Sequence, residues 1–403
     1  MSIFTEKHIL LAVTGSIAAY KAADLASKLT QAGAQVDVIL TAGAEKFVTP
    51  LTFQSVTGHK AYTDADLWGG QAHILHVGLA QSTDLLVVAP ATANTIAKMA
   101  HGLADNLVSI TALAARCPIL VAPAMDVGMY ENPATQENIR ILAERGVTFA
   151  GPAEGRMASG LVGLGRFVEP AELLGHIRLL LGRNGKLAGR NVVVTAGGTQ
   201  EPLDPVRVLT NRSSGKQGYA LAQAAIDAGA VVTLVSTPTA LTPPVGVRLV
   251  PVQTAEEMRI AVLAECIGAD ALVMAAAVAD FRPSVISENK LKKQAGIPRI
   301  ELDATQDILM AVADLGPARP RRVIGFAAES RDLLENALEK LKAKKLDMIA
   351  ANDISAYDAG FGVDTNRITL LFADGRKEAL PLMNKEEAAE IIIGNIAALL
   401  ESQ

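Results

Sequence analysis

Between Asn191 and Gly218 the chain carries its densest set of groups able to handle an anion. The segment Asn211-Arg-Ser-Ser-Gly-Lys216 runs straight into Tyr219–Ala230, which reads as a helix closed by Gly229. A helix N-terminus offers unpaired N–H groups and partial positive charge. Glycine admits close backbone approach, and Asn, Arg, Ser and Lys side chains donate hydrogen bonds, so the segment suits a phosphate. It is not a Walker A loop, because Thr210 stands where the first Gly is needed and Gln217 where the Ser or Thr is needed. An ordinary glycine-containing N-cap has the same spacing, so both readings stand at this point.

Other candidate groups are spread along the chain. Thr14-Gly15-Ser16 follows an apolar run and can hold a phosphate. Ala89-Pro-Ala-Thr-Ala-Asn-Thr95 is small, polar and helix-initiating, and Pro123-Ala-Met-Asp-Val-Gly-Met-Tyr130 puts a carboxylate and two thioethers after a strand. His73 and His76 are three apart, as a metal pair on one helical face would be, but no HExxH motif and no neighbouring cysteine supports that reading. The lysine-rich stretch Phe281 to Gly296, with Lys290 and Lys293, is either a solvated loop or a flap that brings cations over a phosphate.

The elements that must position these groups repeat one grammar. His8–Val13, Gln35–Thr41, Asp84–Pro90 and Pro118–Ala124 read as strands in the first half. Asn191–Thr195, Val231–Ser236, Val247–Val252, Ala271–Ala277, Arg322–Ala327 and Asp347–Asn352 do so in the second. Unbroken apolar runs of this kind suit parallel strands covered on both faces, with ligands at their carboxyl ends. The expected fold is α/β, as two Rossmann-like three-layer domains, each with a mainly parallel sheet. The boundaries expected are 1–184, a short basic Gly-rich linker 185–190, and 191–403. Ile368–Leu380 reads as a hairpin with Asp374-Gly375 at its turn, and Glu386–Leu400 as a closing amphipathic helix.

Composition narrows the classes. The chain has 403 residues, half of them apolar, enough for two cores. A formal charge of −5 with no long basic run argues against a nucleic-acid surface. Two cysteines, Cys117 and Cys266, in different halves suggest a reduced cytosolic protein without a disulfide framework. Arg116 and two prolines interrupt the longest apolar region, so no membrane span is expected, and Lys7-His8 before a short run is no signal peptide.

In the first half, Thr14–Lys21, His76, Pro90–Thr95 and Pro123–Tyr130 resemble, in order and spacing, the homo-oligomeric flavin-containing cysteine decarboxylases. The resemblance implies FMN as cofactor and His76 as the active-site base. It implies phosphate contacts at Gly15, Ser16 and Thr41, and flavin-site positions at Thr92, Asn94, Asn106 and Met129. Two departures stand out. The family's asparagine, which donates to the substrate carboxylate, is Asp126 here, and an ionised Asp can only accept. It serves if burial keeps it protonated or if it turns to another partner. In the clamp segment Ala158–Phe167, Ser159 stands where relatives that reduce the enethiol carry Cys, a far better acid.

In the second half, Thr195–Thr199, Glu201–Arg207, Asn211–Lys216, Ala276–Asp280, Lys290–Lys293, Gly325–Glu329 and Ala351–Asp353 resemble phosphopantothenate–cysteine ligase. The family's usual Arg in the first loop is Gln200. The resemblance implies activation of phosphopantothenate by CTP with Mg²⁺, through an acyl-cytidylate that the cysteine amine opens. Asn211 matches the residue that stabilises that intermediate, and Lys290 the flap lysine. Arg207, Ser213, Gly215, Lys216, Asp280, Asp307, Ile308, Phe326, Lys340 and Lys344 match substrate and nucleotide positions. No metal ligand from the protein is assigned.

Together the resemblances imply a bifunctional enzyme of coenzyme A biosynthesis, assembled as a trimer-based flavin core with ligase dimers. Its partners are then phosphopantothenate, cysteine and CTP. Two alternatives remain at this stage: a ligase whose flavin half stops at the oxidised enethiol, and a flavin-binding regulatory protein. A nicotinamide dehydrogenase is weaker, since GxGxxG is missing from both halves.

Overall fold

The computed structural model describes residues 2–68, 75–292, 299–329, 332–353 and 364–402. His73 and Lys293, singled out above, lie outside the described residues. Contacts group the chain into two units, Met1–Leu181 and Gly182–Gln403.

The first unit contains β1 (His8–Val13), α1 (Ala19–Gln31), β2 (Gln35–Leu40), α2 (Pro50–Thr57), β3 (Ala61–Tyr62), α3 (Leu75–Ser82), β4 (Leu85–Ala91), α4 (Ala93–His101), α5 (Leu107–Ala114), β5 (Ile119–Pro123), α6 (Val127–Tyr130), α7 (Pro133–Glu144) and β6 (Thr148–Phe149). A hairpin, β7 (Ala153–Arg156) and β8 (Val162–Arg166), and α8 (Pro170–Gly182) complete it. The sheet runs β3-β2-β1-β4-β5-β6, every pair parallel. The strand order reverses between β1 and β4, which opens a crevice at their carboxyl ends. β4 is buried along its whole length, as its unbroken apolar sequence requires. One sheet face packs Leu25, Leu29, Phe53, Leu173 and Ile177. The other packs Ile96, Leu107, Val108 and Leu142.

The second unit contains β9 (Asn191–Ala196), β10 (Gln200–Asp204), β11 (Arg207–Thr210), α9 (Lys216–Asp227), β12 (Val231–Ser236), β13 (Arg248–Pro251), α10 (Ala255–Cys266), β14 (Ala271–Met274), β15 (Phe281–Pro283), β16 (Leu302–Ala304), α11 (Ile308–Ala313), β17 (Arg322–Glu329), α12 (Leu333–Ala343) and β18 (Met348–Asp353). After these come β19 (Thr365–Asn366), β20 (Ile368–Phe372), β21 (Lys377–Ala379), β22 (Met383–Asn384) and α13 (Lys385–Glu401). Its large sheet runs β13-β12-β9-β14-β17-β18-β20-β21, parallel as far as β18 and antiparallel beyond. The Asp374-Gly375 hairpin forms as its sequence predicts, with Gly375 at φ 92°.

Two stretches differ from the sequence reading. The loop expected between Ala196 and Lys216 contains the hairpin β10–β11. Asp204 makes it possible, since its carboxylate accepts the Val206 N–H at 2.8 Å and closes the turn after Pro205. The segment Gly182–Arg190 packs on the second unit: Leu187 is fully buried and its N–H donates to Ala228 O at 2.7 Å.

At the amino ends of the first sheet, His8 Nε2 and His59 Nδ1 flank Asp37 at 2.7 and 3.0 Å. The hydrogen bond to Asp37 holds the His8 imidazolium above the usual histidine range, against the opposing effect of burial. Burial works to raise the Asp37 carboxyl, but its bonds to both histidines outweigh that and hold it low. A raised histidine stabilises the fold below its unfolded value of about 6.5 and loses that contribution as pH climbs through the folded value. A lowered Asp contributes above its unfolded value of about 3.9 and loses it as pH falls. Thermal melts should therefore show the first unit most stable between roughly pH 4 and 6.5 where this cluster dominates. His8→Gln should flatten the decline on the alkaline side.

Candidate active sites in the two halves

In the first unit the sites lie where strands end. Thr14, at the end of β1, is buried; its hydroxyl donates to Pro90 O at 2.7 Å and accepts the Thr92 N–H at 3.0 Å. This ties the β1 loop, with Gly15 and Ser16, to the β4 loop, with Thr92 and Asn94. Thr92 in turn caps α4 by accepting the Thr95 N–H. The β2 loop closes in from the other side: a Cβ added to Gly15 would lie 3.1 Å from Gly43 C. Thr41 accepts the Ala44 N–H in that loop. Asn106 caps α5 in a capping box with Ser109. The result is a backbone-lined cradle at the crevice, which fits the phosphate of a flavin nucleotide.

Other groups of the same unit carry chemistry. His76 lies in the first turn of α3, and its Nδ1 is buried without a partner among the described residues. Asp126 caps α6, with Oδ1 accepting the Gly128 N–H at 3.1 Å. Its Oδ2 accepts the Ser159 hydroxyl at 2.6 Å. The two residues in which the sequence departs from the decarboxylase pattern therefore touch, and Asp126 has turned to another partner. Asn94 is exposed on α4, and Met129 is exposed on α6.

In the second unit a cleft of about 670 Å³ opens where the order reverses between β9 and β14. Asn211, Ser213, Gly215, Lys216, Asp280, Asp307, Ile308, Phe326, Lys340 and Lys344 all line it. The floor is held by hydrogen bonds between loops: Asn211 Nδ2 donates to Val278 O at 3.0 Å, and Thr199 accepts the Ala279 N–H at 2.9 Å. Gly218 sets the depth, because a Cβ there would fall 2.7 Å from Thr195 O. α9 can therefore press its N-terminus against the sheet end. Lys344 pairs with Asp307 at 2.7 Å. Burial works to raise the Asp307 carboxyl, but Lys344 and the Met310 and Leu309 N–H groups hold it below its usual range.

Arg207 and Lys290 do not line this cleft. Arg207 is engaged instead by Asp204, at 2.7 Å, and by Leu291 O at 3.0 Å. A carboxylate as buried as Asp204 needs such a cation. Lys290 is carried on the adjoining strap, which Asp204 pins through the Leu291 N–H at 3.1 Å.

Among the cleft residues that escaped the sequence assignment, four are joined by hydrogen bonds. Lys385, 8% exposed at the start of α13, has its ammonium lowered by burial and by Lys216, against Asp364. Its backbone carbonyl accepts from Gln217 Nε2 at 3.3 Å. Gln217 Oε1 then accepts from Asn366 Nδ2 at 2.7 Å, and Asn366 Oδ1 from Asn352 Nδ2 at 3.4 Å. A carbonyl can only accept, so it fixes the direction of all three amides and leaves Asn352 Oδ1 as the acceptor without a partner among the described residues. Asn352 lay in a motif quoted above, and Asn384-Lys385-Glu-Glu387 carries a capping-box signature, but nothing in the sequence joins them.

The Flavoprotein family matches residues 4–181, and the family described as the DNA/pantothenate metabolism flavoprotein C-terminal domain matches residues 187–400. The Coenzyme A biosynthesis bifunctional protein CoaBC of Bacillus subtilis (strain 168) is 46% identical over 401 residues, covering 98% of each chain. The chain belongs to the family of bifunctional coenzyme A biosynthesis proteins. The protein of the same description from Vibrio parahaemolyticus is 44% identical, over 99% of this chain and all of that one. A crystal structure of the C-terminal domain of a CoaBC protein overlaps 54% of this chain and 100% of its own, at 39% identity and a TM-score of 0.47. The chain is thus an enzyme with a flavoprotein decarboxylase half and a ligase half, and the regulatory alternative falls away. No helix among the described residues is long and apolar enough to cross a membrane.

Proposed function

We propose that the second half joins phosphopantothenate to cysteine with CTP and Mg²⁺, and that the first decarboxylates the product with FMN to give phosphopantetheine in the cytoplasm. The observation that carries the ligase reading is the single cleft in which the α9 N-terminus meets Lys216, Lys340, Lys344 and Lys385. A triphosphate and an acyl phosphate need positive charge at fixed positions, and these groups supply it. In this reading Ser213, Gly215 and Lys216 hold phosphate, and Asn211 holds the acyl intermediate. Phe326, Ile308, Asp280 and the Lys344–Asp307 pair flank the nucleotide. Lys290 enters from the strap that Arg207 and Asp204 hold.

In the first half the cradle of Gly15, Ser16 and Thr41 would hold the FMN phosphate, with Thr92, Asn94, Asn106 and Met129 around the rest. Bound FMN supplies oxidation of the cysteinyl thiol side, which makes loss of CO₂ easy. His76 then acts as base and Asp126 meets the substrate carboxylate. Ile17, Tyr20, Leu51 and Leu113, all more than half exposed, support burial of this half's surface in a homo-oligomer, for which we propose the trimer-based core with ligase dimers.

One observation favours a second reading for the last step. Ser159 directs its proton to Asp126 and so withholds it from an enethiol. Mass spectrometry of products from phosphopantothenate, cysteine, CTP and Mg²⁺, without added reductant, separates the two. Phosphopantetheine is expected; a product two hydrogens lighter would mean that the first half stops at oxidation. No condensation product would overturn the ligase reading.

A further inference from the structure

Asp126 and Ser159 are 33 positions apart in sequence and meet at one hydrogen bond of 2.6 Å. The meeting is built by backbone. The β7–β8 hairpin, which carries Ser159 in its turn, is fastened to the residues on either side of Asp126. Met125 N donates to Gly165 O at 3.0 Å. Gly165 has φ 148°, and a Cβ there would fall 2.4 Å from Met125 O. A Cβ on Gly163 would come within 2.8 Å of Val127 Cγ2. The hairpin therefore lies on this segment as closely as glycine permits, and Ser159 is delivered to Asp126.

Each carboxylate oxygen can accept two hydrogen bonds. Asp126 Oδ1 takes the Gly128 N–H and Oδ2 takes the Ser159 hydroxyl, so the carboxyl plane is fixed and each oxygen keeps one lone pair. Two carboxylates brought together in a site cannot both stay ionised; they share one proton.

We propose that Asp126 binds the substrate's carboxylate as an acid pair, taking up one proton from solvent as substrate enters, with Ser159 as the positioning residue that fixes the carboxyl plane. This rests on the reading of the first half as a decarboxylase of a cysteinyl substrate. The balance is simple: the Asp126 carboxylate, one H⁺ and the substrate carboxylate give one hydrogen-bonded pair carrying a single negative charge, and no electron moves. Asp126 then donates one hydrogen bond to the substrate, the interaction an asparagine at this place makes without any proton. Loss of CO₂ removes the partner, and Asp126 returns its proton.

The test is calorimetry of the full-length, flavin-loaded protein with the S-methyl analogue of phosphopantothenoylcysteine, in two buffers of different ionisation enthalpy. Near neutral pH the wild-type protein should take up about one proton per site, and its Kd should rise about tenfold per pH unit through the alkaline side. Asp126→Asn should bind without uptake and without that slope. Ser159→Ala frees the carboxyl plane, so binding should weaken while the uptake of one proton persists. Flavin absorbance identifies any variant that has lost its fold, and the wild-type measurement stands without the variants. Binding by the wild type with no proton uptake, or uptake that persists in Asp126→Asn, would overturn the acid pair. Absence of any binding to the wild type would bring down the decarboxylase reading itself, and the proposal with it.

Discussion

His76→Asn is expected to slow decarboxylation of phosphopantothenoylcysteine about a thousandfold, within the range general-base catalysis supplies, while leaving ligation unchanged. The expectation comes from an anomaly. His76 Nδ1 is buried and has no partner among the described residues. A buried polar atom left unpaired costs stability, and a chain that keeps one keeps it for another purpose. His76 stands in the first turn of α3, and in a crossover helix that turn lies over the carboxyl ends of the strands, on the side of the cradle. Among the described residues Nδ1 makes no hydrogen bond that the substitution would remove. The variant's melting temperature should therefore not fall, and its flavin content should match the wild type. A variant that loses decarboxylation together with its flavin would instead make His76 a structural residue. Assaying both halves on one preparation gives the control.

Asp204→Ala should cost the ligase half about a hundredfold, the scale on which a small misplacement of a reacting group acts, with decarboxylation of supplied substrate untouched. Asp204 does not line the cleft described above, yet four donors converge on it: the N–H groups of Val206, Arg207 and Leu291 and the Arg207 guanidinium. Burial works to raise its carboxyl, but the Val206 and Leu291 N–H groups and Arg207 hold it below the usual range. Alanine would leave those donors facing nothing and release the strap that carries Lys290. The loss should appear in kcat for condensation more than in KM for the nucleotide proposed above, because the cleft proposed to hold it is walled by other residues. An unchanged condensation rate would show that Lys290 acts without the strap.

Much of this architecture is legible in the sequence because parallel strands covered on both faces must be apolar throughout. Asn191–Ala196 and Leu85–Ala91 need no context to be recognised as strands. The β10–β11 and β7–β8 hairpins do not announce themselves. Their strands are short and largely unburied, and they contain Pro202 or glycines, so alternation has too few residues in which to appear. The cleft residues Asn211, Ser213, Gly215 and Lys216 were readable because they share one loop ahead of one helix. Gln217, Asn352, Asn366 and Lys385 were not, since they come from separate elements joined by amide geometry that no local pattern encodes. The Asp126–Ser159 contact is a stronger case: each residue looked like a defect taken alone, and only the fold shows them as a pair.

The packing of Gly182–Arg190 bears on how the enzyme can be taken apart. Gly182 and Gly185 sit so close to the carbonyls of Asp227 and Ala228 that a Cβ at either would fall within 2.6 Å of them, and Arg190 pairs with Asp270 at 3.0 Å. A ligase fragment begun at Asn191, where its first strand starts, would leave a trench along the end of α9 uncovered and lose the buried Leu187. A fragment begun at Gly182 would keep its own lid. What resembles slack between two machines is the last piece of one of them, and a cut for separating the activities belongs on its far side.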